Sequence, residues 1–126
     1  MKVIIHKGKT KSSGCLTEII SCGKRIFIDF GRAVPFDDLQ EEAPQIKGLT
    51  VGEPDCDGIF FTNCNSDHIG MYKKLSPDIP ILMGETSKKL LLLKESTEGG
   101  VDLENGERSA ETINTFEEEK PVNMCG

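Results

Sequence analysis

The chain has 126 residues, which allows one domain with a single modest core and excludes a catalytic domain joined to a separate substrate domain. Its 37% apolar and 29% charged residues are ordinary for a globular domain and exclude a disordered chain. No apolar run approaches the ~18 residues of a membrane span, and no signal-peptide core follows Met1. We therefore expect a cytoplasmic protein with no membrane partner.

The net charge of −6 lies entirely in the last part of the chain. Residues 98–126 hold 8 of the 21 acidic residues and 2 of the 15 basic residues, so residues 1–97 are balanced. A weak basic cluster at Lys7, Lys9 and Lys11 fits a solvated loop at least as well as a nucleic-acid contact. We expect nucleic-acid binding to be weak or absent.

Five cysteines are an odd number and include no CxxC pair. This pattern argues against a disulfide framework and against a zinc knuckle. Reduced thiols are the simpler interpretation.

The first part of the chain predicts three strands and a long loop. Lys2–His6 and a hairpin of Cys15–Ile20 with Arg25–Phe30 have the β-branched pattern of strands, and Gly23 suits a turn with positive φ. Residues 31–56 hold three prolines, three glycines and an acidic cluster. They predict a long surface loop, a feature that is uncommon unless it is functional.

The middle of the chain alternates buried strands with helices. Gly58–Thr62 and Ile81–Met83 are short apolar runs typical of buried strands. His68–Leu75 has helical spacing, with Asp67 placed to cap it. Glu85–Glu95 predicts a second helix, whose four successive leucines indicate a broad buried side.

The composition changes at residue 97. Residues 1–97 predict an α/β domain, a mixed sheet carrying two helices. Residues 98–126 predict an acidic linker followed by a possible last strand of the same domain, at Thr112–Phe116.

Three stretches resemble a known family. They are Gly14–Gly31 with its IDFG ending, GIFFTNCNSDHIGMYKKL from Gly58 and IPILMGETSKKLL from Ile79. They resemble the N-terminal part of metallo-β-lactamase superfamily hydrolases, in particular the ribonuclease J and β-CASP nuclease branch. The resemblance implies the N-terminal half of that family's αββα fold, so we expect a truncated protein.

The resemblance also implies a metal site with a degenerate motif. In the family, an HxHxDH motif binds two zinc ions that generate a hydroxide nucleophile and clamp a phosphodiester. Asn63 and Asn65 stand at its first two histidines, Asp67 and His68 at its last two positions, and Asp29 would support the loop. Asparagine is a weak zinc ligand, so we expect only Asp67 and His68 as metal ligands, no bound zinc and no hydrolysis.

Each of these residues also has an interpretation without a metal. Asp67 would cap the helix, and His68 would be an N-terminal helix residue that faces the loop. Asn63 and Asn65 would bond their own backbone, and Asp29 would satisfy loop amides at the end of a strand. Cys64 is either a substitute soft ligand or a small apolar residue.

Three hypotheses about function stay open. The first is a zinc-dependent hydrolase ancestry of the nuclease type in an inactive chain. The second is a non-catalytic module that associates with itself, and a third hypothesis is a fragment without function. Half of a two-sheet fold leaves an apolar sheet face without its partner, which predicts a homo-oligomer, most simply a twofold dimer.

Overall fold

The computed structural model describes residues 1–8, 14–33, 42–97 and 108–123. Its six strands form one sheet in chain order: β1 (Lys2–Lys7), β2 (Leu16–Ser21), β3 (Lys24–Ile28), β4 (Gly58–Phe61), β5 (Ile81–Gly84) and β6 (Asn114–Phe116). The first three strands pair antiparallel, and β3 to β6 pair parallel. The prediction of a mixed α/β sheet is confirmed.

Two α-helices accompany the sheet, as predicted: α1 (Ser66–Ile69) and α2 (Glu85–Thr97). Two 3-10 turns cover Tyr72–Lys74 and Ala110–Thr112. The last strand, β6, lies within 98–126, where a final strand was predicted, whereas the predicted linker at 98–107 lies outside the described residues. Among the described residues, no helix is both long and apolar enough to cross a membrane.

The hairpin of β2 and β3 closes through a two-residue turn. Cys22 and Gly23 both have positive φ, 51° and 74°. Two successive residues in this conformation form a turn whose twist matches the twist of the flanking strands. The predicted role of Gly23 is therefore confirmed.

The predicted helix over His68–Leu75 is wrong in its start and in its continuity. It begins at Ser66 with Asn65 at the N-cap position, so Asp67 lies in the first turn and is not the cap. The helix ends after one turn because the chain bonds to a neighbouring loop instead: Met71 N donates to the carbonyl of Phe30 at 2.9 Å. Tertiary hydrogen bonds have replaced the next turn of helix.

Part of the predicted surface loop over 31–56 is core. Ile46 and Leu49 are buried in the main hydrophobic cluster, and residues 34–41 lie outside the described residues. Arg25 holds this loop to the sheet, since its Nη1 donates to the carbonyls of Lys47 and Asp55, both at 2.9 Å. The loop thus adds core side chains that its low periodicity did not indicate.

Helix α2 buries a narrower side than predicted. Leu91 is buried and Leu92 packs against the core, but Leu90 and Leu93 are exposed. Consecutive residues of a helix are about 100° apart, so four leucines in a row surround it and only one or two can face the sheet.

The buried carboxylate of Glu18 on β2 bonds to side chains of the two neighbouring strands. The carboxylate of Glu18 accepts a hydrogen bond from Arg25 Nε at 2.5 Å and another from His6 Nε2 at 2.6 Å. Burial raises the pKa of Glu18, but the hydrogen bonds from Arg25 and His6 outweigh it and hold that pKa below 4.5. These three side chains strengthen the contact between β1, β2 and β3.

A buried arginine anchors the segment that leads into β6. Arg108 Nη1 donates to the carbonyl of Ser76 at 2.9 Å and to that of Ile79, and its Nε donates to Thr112 Oγ1 at 3.0 Å. Burial lowers its pKa, but a guanidinium stays charged at neutral pH. Arg108 thus satisfies turn carbonyls that would otherwise be buried without a donor.

Candidate functional site

Two loops cross at the carboxyl ends of the parallel strands β3 and β4. Phe30 N donates to the carbonyl of His68 at 2.7 Å, and Arg32 N donates to that of Ser66 at 2.8 Å. Between them, a Cβ at Gly31 would lie 1.6 Å from the carbonyl oxygen of Asp67. Only glycine allows this approach, which fixes the loop containing Asp67 and His68 against the end of β3.

Asp29 is the centre of the hydrogen bonds at this crossing. Its side chain is buried, and its Oδ2 accepts from His68 Nδ1 at 2.8 Å. Its Oδ1 accepts from the backbone N–H of Thr62 at 2.8 Å, and Thr62 Oγ1 lies 2.9 Å from Oδ2. Asp29 therefore binds both the backbone amide of Thr62 and the imidazole of His68 at this crossing.

The backbone of Asp29 is itself unusual, with a φ of 61° in the left-handed region. Aspartate tolerates this conformation better than most residues, although it still carries some strain. The turn lets the buried carboxylate face the end of β4. Strain of this kind persists where the surroundings hold the residue in place, as the bonds to Thr62 and His68 do here.

The bond to Asp29 orients the imidazole of His68. A histidine whose Nδ1–H donates to a carboxylate keeps Nε2 for a metal or an acid–base role, the arrangement found behind many metal-binding histidines. His68 Nε2 lies 3.5 Å from Asp67 Oδ2. Two zinc ligands at about 2.1 Å with a tetrahedral angle lie roughly 3.4 Å apart, so this pair has the spacing of a chelate.

Asn63 and Asn65 do not complete that pair. Asn63 Oδ1 accepts from the backbone N–H of Asn65 at 2.8 Å, and its Nδ2 donates to Thr62 Oγ1 at 3.3 Å. Both polar ends of Asn63 are thus used within the loop, as expected of an asparagine that bonds its own backbone. Asn65 is exposed and occupies the N-cap position without a capping bond from its side chain.

The donor set does not fit a dinuclear zinc centre. Within residues 1–8, 14–33, 42–97 and 108–123, no group of three or more histidine, cysteine, aspartate or glutamate residues could hold a metal ion. Asp67 and His68 are two potential ligands, whereas catalytic zinc usually has three protein ligands for each ion.

Neither neighbouring cysteine belongs to a described group of three or more potential ligands. Burial raises the pKa of the Cys15 thiol, and the carboxylates of Asp29 and Asp67 raise it further. Cys64 packs against the core and lines a cavity of about 120 Å³ with Tyr72 and Leu91. That position favours the interpretation of Cys64 as a small apolar residue.

The sequence did not identify the roles of two residues at the crossing. Thr62 is the second partner of Asp29, and Gly31 is the residue at which the two loops approach most closely. The position of Thr62 as the polar residue after a buried strand could have pointed to it. Gly31 directly follows Asp29 and Phe30, but only the position of the Asp67 carbonyl reveals why it must be glycine.

Comparison with known proteins identifies the fold and nothing more. No protein family and no curated protein match this sequence. Among solved structures, the chain is similar to the crystal structure of a protein of unknown function from Enterococcus faecalis V583, with a TM-score of 0.63 and 22% identity over 77% of this chain. The match spans 28% of the length of that protein. A likeness at this identity supports a small α/β domain with a mixed sheet.

Proposed function

We propose that this chain descends from zinc-dependent hydrolases of the metallo-β-lactamase superfamily, of the nuclease type, and does not itself catalyse hydrolysis. The observation that carries the proposal is the pairing of His68 Nδ1 with buried Asp29 at 2.8 Å, with Asp67 Oδ2 3.5 Å from the other nitrogen. A carboxylate that orients a histidine beside a second potential ligand is the usual support of a metal-binding histidine.

The same geometry explains why hydrolysis is not expected. Metal-assisted hydrolysis needs an ion held firmly enough to activate water and polarise the substrate. Two ligands leave most of the coordination shell to solvent, and both polar groups of Asn63 already make hydrogen bonds inside the loop. We therefore propose that the chain retains the loop without the affinity for zinc.

Zinc binding tests this proposal directly. Protein purified without chelator should contain far less than one zinc per chain by elemental analysis. The double variant Asn63→His and Asn65→His, called here the double-histidine variant, should bind zinc more tightly in competition with a chromophoric chelator, because it restores two imidazoles to the loop. Asn114→His is the matched control, since it adds an imidazole to an exposed position on β6.

Two results would count against the proposal. About one zinc per chain in the protein as purified would mean that the loop is a working metal site. A double-histidine variant that binds zinc no better than Asn114→His would mean that the loop lacks the geometry of the ancestral motif. Neither variant is expected to hydrolyse a phosphodiester, because further ligands are still missing from the described residues.

Weak or absent binding to nucleic acid accompanies this proposal, together with a cytoplasmic location. Phosphate affinity comes largely from counterions that basic residues release, and the acidic residues 98–126 oppose the few lysines near the start of the chain. Titration of labelled single-stranded RNA at moderate salt should show no submicromolar binding.

A second candidate function is self-association as a non-catalytic module. It is favoured by the apolar side chains on the side of the sheet opposite the core, of which Val3 and Ile5 are exposed. This candidate does not depend on the zinc chemistry, so the two proposals can fail separately.

A further inference from the structure

The side of the sheet opposite the core carries mainly apolar side chains, interrupted by polar residues such as Thr17 and Asn114. We call its eight apolar side chains the open face: Val3, Ile5, Ile19, Ile26, Ile28, Phe60, Leu82 and Phe116. Residues paired across neighbouring strands point to the same side of a sheet, so these side chains form rows across the six strands.

The longest row crosses the parallel part of the sheet. Ile28, Phe60 and Leu82 are paired in register on β3, β4 and β5. Ile5 extends this row on β1 through Thr17 on β2. Phe116 on β6 packs beside it, with its ring centroid 6.2 Å from that of Phe60.

The core lies on the other side of the sheet. Phe27, Ile59 and Ile81 alternate with the open-face residues along their strands and belong to the core cluster. The buried residues of the two α-helices, Ile69 and Leu91, belong to the same cluster. None of the eight open-face residues belongs to the core cluster. Val3 and Ile5 are exposed, five of the others are partly buried, and Leu82 is buried, with 6% of its surface exposed.

The open face is large enough for a specific interface. Six strands about 4.8 Å apart span roughly 29 Å, and strands of three to six residues are on average about 15 Å long. These dimensions give roughly 400 to 500 Å² for each copy, so two copies would bury on the order of 1,000 Å² once the relief of the side chains is included. This is the size at which specific interfaces begin.

The chemistry of the open face fits a copy of itself. Its only ionisable neighbour on the same side of the described strands is Lys24 at the start of β3, whose exposed side chain can stay in water. Two such faces can therefore pack without burying an unpaired charge. A partner with a charged surface would leave its own charges buried against isoleucine and phenylalanine.

We propose that the open face packs against the open face of a second copy, forming a closed twofold dimer of two stacked sheets. Stacked sheets pack about 10 Å apart with their apolar side chains interdigitated, and a twofold axis lets one self-complementary surface serve both copies. This proposal rests on the self-association put forward above and specifies its interface. The interface does not involve zinc, so a negative result in the zinc-binding experiments does not contradict this proposal.

The oligomeric mass and three lysine substitutions test the proposal. Light scattering at about 1 to 100 µM should show a single species approaching twice the chain mass of 13.8 kDa. Ile5→Lys and Phe116→Lys lie on strands at opposite edges of the sheet, and each should raise the dissociation constant at least about tenfold because it buries a charge in the interface. Leu93→Lys is the matched control, since Leu93 is 61% exposed on α2, outside the open face.

The outcomes separate the open face from other ways to associate. A monomer across the whole range would overturn the proposal, and so would open-ended aggregates. If only Ile5→Lys raised the dissociation constant of the dimer, the copies would pair through the edge of β1 and the proposal would be wrong. If Leu93→Lys raised it as much as the open-face substitutions do, the contact would lie on α2, which would also contradict the proposal. Ile5 is already 49% exposed, so its replacement should leave the fold intact, which circular dichroism verifies.

Discussion

Replacing Gly31 with alanine should unfold the crossing that holds the candidate site. The new Cβ would lie 1.6 Å from the carbonyl oxygen of Asp67, 2.1 Å from its carbonyl carbon and 2.8 Å from the backbone nitrogen of His68. All three are backbone atoms, so no side chain can rotate away to make room. The two loops must separate by more than an ångström to restore ordinary contact distances.

That separation breaks a set of short backbone hydrogen bonds. Phe30 N–His68 O, Arg32 N–Ser66 O and Cys15 N–Asp67 O are 2.7 to 2.8 Å long. Each contributes about 1 kcal/mol, and a buried group left without a partner costs about 1 to 3 kcal/mol. The loss of two or three such bonds should lower the free energy of unfolding by roughly 3 to 5 kcal/mol, a large part of the total for a small domain.

Urea denaturation followed by circular dichroism measures this loss. Gly84→Ala is the matched control, because Gly84 has no atom within 4 Å of its Cβ position and does not have a left-handed φ. We expect the Gly84→Ala variant to stay within about 0.5 kcal/mol of the unmodified protein. A Gly31→Ala variant as stable as the control would mean that the loops do not cross as described.

Three further substitutions test the buried polar groups. Arg108→Met should lower the free energy of unfolding by about 3 kcal/mol, because it leaves buried carbonyls without a donor, and denaturant melts measure this. Glu18→Gln should destabilise the protein most near pH 7. The folded-state pKa of Glu18 is lowered by Arg25 and His6, so its contribution is present above about pH 4.5 and is lost as the pH falls through that lower pKa. Melts at several pH values should therefore show the difference between the two proteins shrink in acid, whereas a constant difference would contradict the argument. Asp29→Asn, made in the double-histidine variant, should weaken zinc binding by about 10- to 100-fold in the chelator competition, because the carboxylate that orients the imidazole is lost; unchanged affinity would mean that Asp29 does not position the ligand.

Local patterns in the sequence were sufficient for the strands and the hairpin. β-Branched and apolar runs predict β1 to β5 within a few residues, since alternation and burial along a strand are properties of neighbouring residues. Gly23 was identified for the same reason, because a two-residue turn depends on the conformation of the turn residues themselves. The strands and the turn depend on residues that are only a few positions apart in the chain.

The sequence predicted several residues of the candidate site but not the contacts between them. The polar residues 62–68 after a buried strand indicated where to look, and Asp29 was singled out beside them. The bond between Asp29 and His68, however, joins residues 39 positions apart, and it depends on β3 and β4 being parallel neighbours. Strand order is decided by the packing of the whole sheet, which local patterns do not encode.

The sequence by itself determined the strands, the hairpin turn and the α/β class, because each follows from interactions between residues close in the chain. Only the tertiary structure decided that α1 ends after one turn and that Ile46 is buried. In each of these cases the deciding contact comes from a distant segment. The amide of Met71, for example, donates to the carbonyl of Phe30 and not to a carbonyl of its own helix. Backbone groups and apolar side chains bind the partners that the completed fold places beside them, and those partners are far away in the sequence.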